Sequence, residues 1–198
     1  METIDQPIVT ISDDKAAFDS LCVTNPPGER PDGGVLLIYK AVESVEGKIG
    51  GGKVRYGAAL ADKPEGPYTK KTGRIFEPDD VGAGGHHMLA EDPYLWFSKT
   101  YGTVITRWRG MLSASLTGAS GGIVLFRSED GLNWKPAAHP KVLGNRYQWA
   151  DGTMSTDRIE RPALLFDGET PVALPGAASD NKNRDGTYNV QIPLISKP

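Results

Sequence analysis

Apolar residues in this chain come in short runs, each closed by turn-forming residues, and a helical period is almost absent. Gly34-Val35-Leu36-Leu37-Ile38-Tyr39-Lys40 is a continuous apolar run after the turn Pro31-Asp32-Gly33. Its length and flanks predict a strand covered on both faces. Residues 53–61 alternate more loosely and stop at Asp62-Lys63-Pro64-Glu65-Gly66-Pro67. Residues 94–97 and 103–108 read as a strand pair around a turn at 99–102. Ile123-Val124-Leu125-Phe126 is another strand, closed by Ser128-Glu129-Asp130-Gly131. Residues 163–166 and 171–174 flank Asp167-Gly168-Glu169, which is hairpin chemistry. Only residues 13–21 carry the spacing of one or two helical turns.

A longer period underlies these strands. Three times a polar residue and a proline precede an apolar strand, a glycine-containing turn and a second strand. The copies open at Asn25-Pro26, at Glu91-Asp92-Pro93 and at Glu160-Arg161-Pro162, and their prolines lie 67 and 69 residues apart. A second shared element falls between them. Residues 55–61 lead through an acidic turn to Tyr68, and residues 123–128 lead through another to Trp134. A repeat of this length with about four short strands per unit is the signature of β-propeller blades. The predicted class is therefore all-β, a propeller with about three blades at 1–70, 71–140 and 141–198 in one domain. A β-sandwich also uses short strands and frequent turns, but its repeat is shorter and less constant.

Composition narrows the function. The chain has 198 residues, 38% of them hydrophobic, enough for a core at this length. Lys and Arg number 22 against 25 Asp and Glu, with no basic cluster, which argues against a nucleic-acid partner. No apolar run approaches membrane-spanning length. The single Cys22 allows no intrachain disulfide and has no neighbouring base, so it reads as a small packed side chain. The 24 Gly and 15 Pro punctuate the whole chain rather than one linker. Gly118-Ala119-Ser120-Gly121-Gly122 lacks the Lys-Ser/Thr of a phosphate loop and reads as a rim loop. The acidic start, Met1-Glu2-Thr3-Ile4-Asp5, has no apolar signal segment. The expectation is a cytoplasmic protein as written, or a secreted or periplasmic one if the true start lies upstream.

Three stretches carry a resemblance to a known family: Thr24-Asn25-Pro26 with Arg30-Pro31-Asp32-Gly33, Ala90-Glu91-Asp92-Pro93-Tyr94-Leu95-Trp96, and Ile159-Glu160-Arg161-Pro162. Residues 61–68 and 128–134 support it. Together, over roughly residues 15 to 180, the chain resembles the five-bladed propeller glycoside hydrolases. That group includes arabinanases, β-xylosidases, invertases and α-neoagarobiose hydrolases. The resemblance implies about five blades where this chain has room for about three. The expectation is a truncated or short form, or a chain that closes its ring by self-association through open blade edges. It also implies an oligosaccharide as partner, and no cofactor beyond the divalent ion that some relatives hold in the channel. The residues here define no cage for such an ion.

Glycoside hydrolysis ordinarily needs two carboxyl groups in different protonation states. By the resemblance, Glu160 matches the position of the general acid. Asp92 matches the carboxylate that orients substrate and tunes that acid. Asn25 matches a third position and cannot accept the proton if the base belongs there. Each residue has a plainer reading beside this one. Asp92 before Pro93 suits a turn, and Glu160 beside Arg161 suits a solvated ion pair. Glu91 reads as an ion-pair or substrate partner. His86 and His87 follow the flexible residues 82–85 and would point to opposite faces of a strand, a poor metal site; one of them suits a sugar contact. Arg107 and Arg161 are the natural partners of an acidic or sulfated glycan. Trp96 and Trp134 read as packing between blades, as does Trp108, and His139 as surface.

Overall fold

The computed structural model describes residues 7–24, 27–29, 33–42, 54–75, 91–98, 103–110, 122–144, 146–155, 158–179 and 186–194. They form three main antiparallel sheets that follow one another along the chain. In the first, β1 (Cys22–Thr24) and β2 (Pro27–Glu29) both pair with β3 (Val35–Val42), followed by β4 (Val54–Ala61) and β5 (Thr69–Lys70). The second is a four-stranded meander of β6 (Glu91–Ser98), β7 (Thr103–Gly110), β8 (Gly122–Ser128) and β9 (Trp134–Leu143). A small hairpin of β10 (Tyr147–Gln148) and β11 (Met154–Ser155) leads to the third sheet. There β12 (Arg158–Glu160) and β13 (Leu165–Asp167) lie along β14 (Thr170–Ser179), and β15 (Thr187–Pro193) lies on its other side.

The middle sheet is sandwiched by the other two, and its side chains alternate accordingly. Leu95 and Phe97 join Leu36, Ile38, Tyr56, Ala58, Val124, Phe126 and Trp134 in the core between the first and second sheets. Tyr94 and Trp96 turn the other way and join Ile123, Ile159, Leu174 and Val190 between the second and third. A strand buried on both faces has no polar alternation to show, which is why residues 94–97 read as an uninterrupted apolar run. Sheets stacked face to face in chain order are propeller blades. The chain is all-β and forms a partial β-propeller.

The turn of the second blade locks it to the first. Gly131 has φ +75° and sits against Leu36, whose Cδ2 would lie 2.6 Å from any Cβ there. Trp134 donates its indole N–H to the Gly131 carbonyl at 2.9 Å and opens the outer strand. Trp96 meets Phe166 edge-on, at 6.2 Å between ring centroids, across the next seam. Both tryptophans therefore pack between blades, and His139 is exposed.

The far face of the first blade is covered by the chain's own N-terminal segment. Val9, Phe18 and Val23 pack with Tyr68 on Leu37, Tyr39, Ala41 and Ala59. Residues 13–21 form no helix here. They make two successive turns, with Ala17 N–H bonded to the Asp14 carbonyl and Ser20 N–H to that of Ala17. The Asp14 carboxylate takes the Ala16 N–H, a local bond that competes with helix. Asp19 is drawn into the blade, where its buried carboxylate accepts from the Tyr39 hydroxyl at 3.0 Å and from Lys70 at 2.6 Å.

Candidate functional site

The openings of the second and third blades share one backbone device. On β6, Glu91 pairs with Arg109 and Tyr94 with Arg107, so the inner strand carries one residue more than its partner. On the third blade Glu160 pairs with Ala177, and Ala163 N–H then bonds to the Pro175 carbonyl at 3.0 Å. The count is the same. Each opening is a bulge of one extra residue, placed where a proline has no N–H to give the ladder. The repeat legible in the sequence is thus a repeat of backbone geometry. The first copy differs, because Thr24 pairs with Lys40 and Pro27 with Leu37 in step, with no extra residue.

At the crown of each bulge stands a residue in the left-handed region. Asp92 has φ 49° and Arg161 has φ 50°, and among the described residues no other non-glycine has positive φ. A residue before proline ordinarily stays extended, and a side chain in this region costs roughly 1–2 kcal/mol. Such strain concentrates where a side chain must be aimed.

The two crowns meet. Arg161 Nε lies 3.4 Å from Asp92 Oδ2, which bridges the seam between the second and third blades. The Asp92 side chain is 28% exposed and that of Arg161 is 76% exposed. A pair so open to water adds little stability; its effect is positional. Behind it Pro93 and Pro162 are buried, and the Tyr94 hydroxyl donates to the Leu164 carbonyl at 3.4 Å. Tyr94, Trp96 and Phe166 form a run of ring contacts below.

Asp92 and Arg161 are therefore brought together at one seam, and Glu160 precedes Arg161 at the end of β12. Glu160 is half-buried and occupies in its bulge the position that Glu91 occupies in the other, while Arg161 stands where Asp92 does. Glu91 and Arg107 are placed by their backbone pairing on β6 and β7, and their side chains lie outside the described residues, as do those of Trp108 and Arg109. Asn25, His86 and His87 lie outside them altogether. Among the described residues no three His, Cys, Asp or Glu side chains are grouped to hold a metal ion.

One feature of this seam has no counterpart among the motifs of the sequence. Between the second and third blades the hairpin β10–β11 closes through Trp149-Ala150-Asp151-Gly152, with the Gly152 N–H on the Trp149 carbonyl at 2.9 Å and Gly152 at φ +86°. Asp151 accepts from both the backbone N–H and the hydroxyl of Thr153, and these bonds hold its carboxyl below the usual range. Trp149 stacks edge-on against buried Tyr147 at 5.2 Å and leans on Tyr188 of β15 at 6.2 Å. The Tyr147 hydroxyl is buried without a hydrogen-bond partner. The clue in the sequence was Tyr147-Gln148-Trp149 before an Asp-Gly turn, two aromatics on one face of a hairpin.

No protein-family model matches the chain, and no curated protein matches it. Solved structures match it in fold. A BT0996–RGII complex superposes with a TM-score of 0.62 at 14% identity, over 100% of this chain and 52% of the matched one. A protein named glycoside hydrolase gives 0.59 at 12% identity, over 100% and 53%. A glycosyl hydrolase from Bacteroides ovatus gives 0.52 at 12% identity, over 96% and 56%. The chain spans about half the length of the structures it matches. The relationship to the five-bladed propeller glycoside hydrolases is a distant structural one, and it is a likeness of fold.

Proposed function

We propose that the protein acts on short oligosaccharides at the seam of its second and third blades, cleaving glycosidic bonds. In this reading Glu160 is the general acid and Asp92 the carboxylate that orients the sugar. The observation that carries it is the pair of strained crowns, Asp92 and Arg161, aimed at one another across that seam. Strain at two equivalent positions is hard to account for by packing alone. The names borne by structures of this fold support the substrate class. Arg161, with a guanidinium open to water, adds a planar donor suited to sugar hydroxyls or to an anionic glycan.

The test is reducing-sugar release from a panel of neutral and acidic oligosaccharides. Release by the wild type and its loss in Glu160→Gln is the expected result. Release that survives the substitution removes Glu160 as the acid.

A second reading is a carbohydrate-binding module without turnover. It is favoured by the third copy, where Arg161 holds the position that Asp92 holds in the second, and by Asn25 in the first. It predicts saturable binding and no release from the folded 198-residue chain.

A further inference from the structure

The seam that joins Asp92 to Arg161 at its inner end carries exposed rings at its outer end. Tyr188 pairs with Ala178, which pairs with Ile159, so Tyr188 lies in the row next to that of Glu160, two strands outward. Two strand spacings are about 10 Å. The hairpin follows β9, whose Leu143 pairs with Ile123 opposite Arg109 and Glu91, the row of the other bulge. Trp149, Tyr188, Arg161 and Asp92 thus share one end of the blades.

Trp149 and Tyr188 are each 37% exposed, in contact with one another, while Tyr147 beneath them is buried. A tryptophan left this open on a hairpin tip is not serving the core, which Tyr147 already fills. It is also held still: the turn beneath it has two backbone bonds, Trp149 N–H to the Thr153 carbonyl and Gly152 N–H to that of Trp149. Rings that are rigid and half-exposed lose little freedom when a ligand covers them. A sugar ring fits such a surface, since its C–H face meets the negative face of the aromatic while its hydroxyls stay in water. An anionic ligand would need a cationic partner at the platform, and neither ring supplies one.

We infer that Trp149 and Tyr188 form an aromatic subsite that stacks a neutral sugar unit of an oligosaccharide running outward from the Asp92–Arg161 pair. This rests on the reading of that seam as a saccharide site, and it assigns the rings to binding and not to chemistry.

The experiment is titration of the 198-residue chain with neutral xylo- and agaro-oligosaccharides of two to six units, followed by calorimetry and tryptophan fluorescence. Trp149→Ala is expected to weaken binding about tenfold and Tyr188→Ala several-fold, within what aromatic contacts contribute. Trp149→Phe, which keeps a ring, restores most of the affinity. Lys63→Ala, an exposed side chain on the first blade away from this seam, leaves affinity within about twofold, because it removes no stacking surface. Thermal melting of each variant checks that the fold persists. Unchanged affinity in Trp149→Ala overturns the subsite, even if turnover is lost in Glu160→Gln and the glycosidase reading survives. Absence of saccharide binding by the wild type overturns it as well. Binding that depends on Trp149 without any turnover upholds the subsite and removes the hydrolytic reading alone.

Discussion

Arg161 is the residue whose conformation is hardest to justify by stability. It is exposed, precedes a proline and has φ 50°. Replacing it by glycine removes the steric cost of that region, so Arg161→Gly is expected to melt no lower than wild type and to gain up to about 1 kcal/mol. Oligosaccharide binding should fall in the same variant. Calorimetric melting beside a binding titration tests both halves, and a protein that loses stability would mean that the guanidinium holds the blades together. Asp130 shows the opposite case, a carboxylate held for structure. Partial burial works to raise its pKa, but bonds from the Asn133 backbone and side chain, the Leu132 N–H and the Ser128 hydroxyl outweigh it and bring it to about 2. The unfolded chain then binds the proton more readily than the folded one. The stabilisation is complete above about pH 4 and is lost as pH falls towards 2. Asp130→Ala should cost about 1 kcal/mol at neutral pH, as for a lost cap, and the gap to wild type should close in acid denaturation near pH 2.

Among the elements, the sheets were the most legible part. The strands read at 34–40, 53–61, 94–97 and 123–126 fall within or beside β3, β4, β6 and β8, because each is an apolar run between turn residues, and the hairpin at Gly168 was legible because of its glycine. What the runs did not show was which neighbour each side chain would meet. Gly57 sits among the buried residues of β4, and a Cβ there would clash with the Cζ and hydroxyl oxygen of Tyr39. Gly57→Ala is therefore expected to cost about 1–3 kcal/mol, the range of overpacking, measured by denaturant unfolding. Residues 13–21 had helical spacing, but the buried Asp19 bond to Tyr39 and Lys70 outweighs a short helix that would have few bonds of its own. Nothing in the local sequence tells Asp19, a charged residue, to go inside. Burial, then the Asp19 carboxylate, pushes the Tyr39 phenol pKa well up, which keeps it a donor.

For the whole molecule, the consequence of that bond is a covered first blade. Propeller blades stack because each sheet has two apolar faces, and here the segment carrying Val9 and Phe18 takes the place on the far face of the first. Asp19→Ala leaves the Tyr39 hydroxyl and Lys70 without their acceptor. It should destabilise by about 2 kcal/mol and increase self-association, as uncovered sheet surfaces do. A denaturant melt beside light scattering would show both, and recovery of part of the loss in Asp19→Ala/Lys70→Met would assign it to the stranded cation. The chain spans about half the length of the structures it matches.

The sequence by itself determined the class, the main strands and the spacing of the prolines that open the repeats. These follow from local rules: apolar runs between turns make strands, and a proline that cannot donate marks the same place in the second and third repeats. It also singled out Asp92, Glu160 and Arg161 as members of that repeat. Only the tertiary structure decided that Arg161 turns to Asp92 across a seam, and that Trp149 and Tyr188, 39 residues apart, share a surface. Those facts depend on how one sheet lies on the next, and the distance between two blades is written in no single stretch of chain.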